Sequence, residues 1–500
     1  MNVDNLNSKI INATKWSSIT EIAAKLVSPV TNMILARILV PEAFGVVATV
    51  TMIISFAEMF TDSGFQKYLV QHEFKNIEEK YKNANVAFWT NFSVSIVLWG
   101  LIVLFSEQLS ILVGNPGLGK VISIACIQLP ITAFSSTQMA LYRRNFDLKT
   151  LFTVRIVSIF MPFFVTIPLA LAGLSYWSLI IGSLTIHLSN AVLLTMKSDW
   201  KPAFYYSIKI LREMLSFSIW SLIEAIAIWL TSWVDTFIIG SILNQYYLGL
   251  YKTSITMVNS LMALINSSII PVLFSTLSRL QSNDVKFTNM YFKFQRIISI
   301  IVFPLGIGVY LYSDLATEIM LGSQWSEASF VIGTWALTSS IMIVLGNLCS
   351  EVYRAKGKPK LSFLAQILHL IVLVPACIIS SKYGFWVLVY TRSWIRLQFV
   401  LVHFILMRFV IGISIIKTIK NVSKTAISTI CMGILGYFLK QVNDSIIWSF
   451  VSIFICTIFY FGILFLFPDM RREIFSIAKN LIPRSIKEKF IIKENEGRTG

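Results

Sequence analysis

Two arginines one helical turn apart, Arg392 and Arg396, lie inside an apolar run long enough to cross a membrane. A charge at the centre of a spanning helix costs about 2.5 to 3.5 kcal/mol on the insertion scale, so two guanidiniums there need a fixed or a visiting anion. His403 continues the same helical face and reads as a satisfied interface histidine. Other apolar runs carry similar stripes. Glu21, Lys25, Ser28 and Asn32 share one face, where Glu21 and Lys25 can pair across a turn. Thr51, Ser55, Glu58 and Asp62 share another, as do Glu224, Thr231 and Asp235, and Asn347, Glu351 and Arg354; Arg155 stands near Ser158 and Pro162. Intramembrane charges are expensive and face protein or a water-filled cavity. Acidic and basic stripes together suit a cavity that accepts an anionic headgroup and exchanges a cation. Plainer uses exist for the same residues: Glu21 with Lys25 as a structural pair, Asp62 as a helix-end contact, Asp235 as the partner of a neighbouring helix.

The elements that must hold these side chains are membrane helices. Of 500 residues, 56% are hydrophobic and 13% charged, with mean hydropathy +0.72, against about 25% charged in soluble proteins. The chain reads as an all-α polytopic membrane protein. Segments of about 20 apolar residues fit fourteen times, at 16–38, 43–65, 84–105, 118–140, 151–172, 175–196, 214–240, 250–274, 295–313, 329–352, 361–380, 384–407, 424–440 and 446–467. With the N-terminus in the cytoplasm, basic clusters follow every even-numbered span, from Lys67 to Lys82 onward to Arg408 to Lys424, while the opposite loops hold little beyond Arg37, Lys120, Lys252, Lys382 and Lys440. That is the positive-inside pattern, and it places both termini in the cytoplasm. It also accounts for the net charge of +17 without nucleic acid. The polar first fifteen residues lack the shape of a cleaved signal, so the first span is expected to stay as a signal anchor. Trp16, Trp177, Trp200, Trp325, Trp386 and Trp448 lie near span ends, where amphipathic rings settle. The five cysteines fall inside apolar spans without ligand spacing and read as small core residues, so no metal, cofactor or catalytic centre is expected. After Asp469 the tail carries Ile474, Ile477 and Leu481 at helical spacing beside Arg471, Arg472 and Lys479. It reads either as a helix on anionic lipid or as a solvated basic tail.

The chain also repeats itself. LVPEAFGV from Leu39 is echoed by LNQYYLGL from Leu243, and Tyr142-Arg143 by Tyr353-Arg354, at shifts of 204 and 211 residues. Two landmarks at similar shifts imply two six-helix lobes in parallel orientation, 1–212 and 213–410, then two additional helices within 411–467 and a basic cytoplasmic tail, 468–500. Lobes of this kind rock around a shared cavity, as in transporters.

ARILVPEAFG followed by FAEMFTDSGFQKYLVQ, with WVDTFIIGSIL and LGLYKTSITMV opening the second half, resembles the polysaccharide-transport family of bacterial flippases. That family belongs to the multidrug/oligosaccharidyl-lipid/polysaccharide exporter superfamily. The resemblance covers nearly the whole chain; Asn244 and Gln245 stand where Gly-Pro is often found at the equivalent turn. It implies a non-enzymatic flippase that moves undecaprenyl-pyrophosphate-linked oligosaccharide across the bacterial inner membrane for O-antigen, capsule or exopolysaccharide assembly. Its expected partners are that lipid-linked oligosaccharide, membrane lipids, a proton or sodium ion, and the polysaccharide polymerase machinery. A hydrated cavity would hold the headgroup while the polyprenyl tail stays in lipid, with Lys25, Arg155, Arg392 and Arg396 on the headgroup and Glu58, Glu224 and Asp235 in ion coupling. The nearest alternatives are a drug/cation antiporter, which would favour an acidic, aromatic cavity, and a peptidoglycan-precursor flippase. A membrane polymerase or glycosyltransferase would need a larger extramembrane domain than these short loops provide, and a passive channel leaves the doubled lobes unexplained.

Overall fold

In lipid, a long apolar run must satisfy its own backbone, and a helix does so. The computed structural model of the protein describes residues 23–61 and 64–481, with the side chains of 216–221, 223, 224, 268 and 476–481 outside that set, and it is helical with no strand among the described residues. We label the crossing helices α1 (23–38), α2 (Pro41–Thr61), α3 (Ile77–Leu104), α4 (Gly119–Arg144), α5 (Leu148–Leu171), α6 (Tyr176–Lys197) and α7 (Ile208–Ile242). They continue with α8 (Gln245–Arg279), α9 (Asp284–Leu311), α10 (Ala328–Ala355), α11 (Lys360–Ser381), α12 (Phe385–Ile411), α13 (Ile415–Lys440) and α14 (Ile446–Phe465). Helices α2 to α14 coincide with thirteen spans long and apolar enough to cross a membrane. The part of the first span before residue 23, with Trp16 and Glu21, lies outside the described residues, as does Asp62.

Helix starts follow local chemistry. Asn76 accepts from the Glu79 N–H at 2.7 Å while the Glu79 carboxylate accepts from the Lys75 N–H, and Asn283, Ser414 and Ser445 cap α9, α13 and α14 through their side chains. Two expectations are corrected here. Pro41, left between the expected spans 16–38 and 43–65, already begins α2; proline suits that position because the N–H it lacks would have no helical partner. Lys252, assigned to an outer loop, lies inside α8, because Gln245 already begins that helix.

The contacts group the chain into two compact units. The first holds the residues up to Leu264 with Ala316–Trp335 and Pro359–Val402. Its core packs Val46, Val50 and Ile54 of α2 against Ile122 and Leu129 of α4 and Ile180 of α6, with Trp229 and Trp233 of α7 alongside. Gly114 closes the α3–α4 loop at φ +73, and a Cβ there would meet the Gly240 carbonyl of α7 at 2.1 Å.

The second unit holds Ile265–Leu315, Ala336–Lys358 and the chain from His403 on. Polar ties join α9 to α13: Ser299 meets Thr425 at 2.9 Å and Asn421 donates to Gln295 Oε1 at 3.0 Å. Tyr460 of α14 donates to the Ile300 carbonyl at 2.9 Å. The amphipathic tail helix is present as Pro468–Leu481, and protein covers part of its apolar side: Met470 and Ile474 pack with Met432, Tyr460 and Leu464. Arg296 reaches Glu473 at 2.8 Å and Lys424 reaches Asp469 at 2.6 Å.

Candidate functional site

Four helices of the first unit bring polar side chains to one depth. At 1.5 Å per residue, Asp235 lies about 10 Å from the Ile242 end of α7, and Tyr251, Trp335 and Arg392 lie about 9 to 10 Å from the first residues of α8, α10 and α12. Arg392 Nε donates to Asp235 Oδ2 at 2.6 Å, Tyr251 donates to the same oxygen at 2.7 Å, and the Thr236 N–H donates to Oδ1 at 2.7 Å. Asp235 is 3% exposed and Arg392 6%. A charge so buried is tolerable only when paired and hydrogen-bonded, as this one is.

The cluster is rich in cations. Lys252 Nζ sits 3.7 Å from the centroid of the Trp233 ring and 3.5 Å from Thr236 Oγ1. The Trp335 ring lies under two guanidiniums, Arg396 at 4.1 Å and Arg392 at 5.2 Å, and its Nε1 donates to Asn259 at 3.1 Å, which fixes the ring. Such stacking contributes about 0.5 to 2 kcal/mol. The helical run of α12 is interrupted at Ile395, so Arg396 opens a new segment. Among the described residues, one carboxylate here stands among three cationic groups. Such an excess attracts anions, most strongly where water is scarce.

The other expected residues are dispersed. Glu58 of α2 accepts from Gln128 Nε2 at 3.2 Å and lines a cavity of about 340 Å³ with Ser55, Asn91, Thr132, Ser136 and Lys67. Lys25 is half-buried on α1 and Arg155 is exposed on α5. The Glu224 side chain lies outside the described residues. His403, on the same stripe as Arg392 by spacing, packs in the second unit, where Tyr353 meets its Nδ1 at 3.1 Å; there too Glu351 pairs with Arg354. Asp235 thus pairs with a neighbouring helix, and Arg392 has a resident anion.

Beyond the cluster, toward the helix ends that bound it, the first unit is closed by a backbone seam. A Cβ on Gly45 would meet the Gln245 carbonyl oxygen at 1.9 Å, and one on Gly249 would meet the Pro41 carbonyl oxygen at 1.8 Å, so the two echoed turns touch main chain to main chain. Trp325 Nε1 and Gln324 Nε2 donate to the Ala36 carbonyl at 2.7 and 2.5 Å, Arg37 donates to the Ile319 carbonyl at 2.9 Å, and Phe44 meets Trp325 edge to face.

Trp335, Tyr251, Asn259, Gln128 and Asn91 were not singled out from the sequence. Trp335 and Tyr251 look like any aromatic in an apolar run, and only the fold puts them beside a charge.

A sequence model of the family described as polysaccharide biosynthesis protein matches residues 34–330. An uncharacterized membrane protein in the cps region of Klebsiella pneumoniae is 23% identical over 381 residues, covering 75% of this chain and 77% of that protein. The lipopolysaccharide biosynthesis protein WzxC of Escherichia coli is 21% identical over 383 residues, 75% of this chain and 76% of its own length. Among solved structures, the lipid II flippase MurJ in an inward closed conformation superposes with a TM-score of 0.72 at 14% identity, covering 89% of this chain and 97% of that one. That likeness is one of fold.

Proposed function

We infer that this chain, which belongs to the polysaccharide biosynthesis protein family, moves a lipid-linked oligosaccharide across a membrane by alternating access. The observation that carries this reading is the cationic, tryptophan-backed cluster: Arg392, Arg396 and Lys252 around the carboxylate of Asp235, buried among four helices of a multi-pass membrane protein. A diphosphate cannot enter about 30 Å of hydrocarbon unaided. Planar guanidiniums match phosphate oxygens two at a time, whereas a cationic drug would meet repulsion here.

In this reading Arg396, stacked on Trp335, takes the phosphate, and Arg392 is its reserve. Asp235 holds Arg392 until a proton neutralises the carboxylate or the arriving diphosphate competes for the guanidinium. Glu58 and Glu224 are the further candidates for coupling to proton or sodium, and Lys25 and Arg155 for headgroup contact along the path. The two six-helix lobes at 1–212 and 213–410, both termini in the cytoplasm, residence in a bacterial inner membrane, an undecaprenyl carrier, a transport role without catalysis and contact with the polymerase machinery belong to the same proposal. The echoed turns and the charge asymmetry of the loops support it.

The test is transport in proteoliposomes carrying a fluorescent polyprenyl diphosphate with one sugar, read by a membrane-impermeant quencher. Wild type equilibrates the probe between leaflets and Arg396→Glu, reconstituted in equal amount, does not. Unchanged equilibration by the charge-reversed protein would refute the assignment.

A further inference from the structure

The cavity beside Glu58 has the chemistry of a carbohydrate site. We propose that it is the glycan subsite of the transporter, a pocket that takes the lipid-proximal sugar through its hydroxyls while the cationic cluster takes phosphate. The proposal rests on the lipid-linked oligosaccharide reading and adds to it where the sugar is recognised.

At about 340 Å³ the cavity is within the range of small-ligand sites and far larger than one bare cation or water requires. It lies wholly within the first unit. Ser55 and Glu58 come from α2, Asn91 from α3, Thr132 and Ser136 from α4, and Lys67 from the short helix Phe65–Gln71 that follows α2. A sugar hydroxyl donates one hydrogen bond and accepts two, so it needs acceptors and donors mixed at short spacing. Carboxylate, amide, hydroxyl and ammonium groups around the cavity meet that need, and a polyprenyl chain could bond to none of them.

Asn91 supplies the independent sign of a ligand. It is 3% exposed; its Nδ2 donates to Ser136 Oγ at 2.7 Å, and its Oδ1 is buried without a hydrogen-bond partner in the protein. Turning the amide over would only exchange which atom is orphaned. An orphaned buried polar atom is costly, and this one belongs to a residue that lines the cavity, where a visiting hydroxyl could complete it. The rest of the wall is held in place. Glu58 is oriented by Gln128, which in turn accepts from Ser183 at 3.1 Å, and Trp229 donates to Ser55 at 2.9 Å.

The experiment measures binding of two probes to the full-length protein in nanodiscs: a short-chain polyprenyl diphosphate, and the same lipid carrying one N-acetylhexosamine. Wild type is expected to bind the sugar-bearing probe about tenfold more tightly, on the order of two extra hydrogen bonds. Asn91→Leu should abolish that gain and leave the bare diphosphate affinity unchanged, with thermal stability equal or higher because the orphaned amide is gone. Ser136→Ala, a smaller change that keeps the fold, should shrink the gain. Equal affinity of wild type for both probes, or a gain that survives in both variants, would overturn the subsite. Failure of wild type to bind either probe would overturn the lipid-diphosphate reading as well.

Discussion

Asp235 and Arg392 meet at 2.6 Å with both side chains almost wholly buried, so each is the condition for the other's charge. Removing one partner of such a pair costs about 3 to 5 kcal/mol, whereas removing both is often near neutral. We therefore expect Asp235→Asn and Arg392→Gln each to lower the unfolding temperature of the purified protein sharply, and the double variant to recover most of the loss. Additive single effects would show that the pair is not a unit. Arg396 stacks on the face of Trp335 at 4.1 Å. Arg396→Lys keeps the charge and loses the plane, so proteoliposome transport should fall severalfold while stability holds; transport at the wild-type rate would show that charge alone suffices. Helical spacing put Arg392 and Arg396 a turn apart and pointed to an anion. It did not reveal the interruption at Ile395 or the tryptophan beneath both, since those depend on which helices become neighbours.

Among the elements, the echoed turns opening α2 and α8 carry the mechanical consequence. Gly45 and Gly249 let two backbones touch, and any side chain there would strike a carbonyl. Gly45→Val or Gly249→Val should therefore pry the seam apart without entering the charge cluster. The expected outcome is faster labelling of a cysteine placed at Thr236 by a membrane-impermeant maleimide from the seam side, and unchanged labelling would mean that the seam is not a gate. The repeat was legible as matching letters, but its use as a contact was not, because a glycine in a turn looks the same whether or not a second backbone rests on it. The tail helix offers a test on a surface element. Burial lifts the Glu473 carboxyl above its ordinary range even with Arg296 beside it. A carboxyl whose pKa is higher docked than free binds its proton more tightly when docked, so docking should strengthen as pH falls from that raised value toward the ordinary carboxylate range and weaken as pH rises. Protection of the Pro468–Leu481 amides from hydrogen exchange should follow that direction, and Glu473→Gln should flatten it.

For the molecule as a whole, hydropathy was enough for the helix count, because a bilayer leaves a long apolar run one backbone solution, and thirteen of the fourteen expected spans overlap helices long and apolar enough to cross a membrane. Packing was less legible. The compact units cut through α8, α10 and α12, a division set by side-chain contacts that no count of spans contains. Function was legible as a class through charges where charges are expensive. The most direct measurement of the central claim is the leaflet in which lipid-linked oligosaccharide collects when the gene is deleted from its host. Accumulation in the cytoplasmic leaflet, relieved by the wild-type gene and not by Arg396→Glu, is the predicted result. Accumulation in the opposite leaflet would contradict it, because the headgroup would then have crossed without this protein.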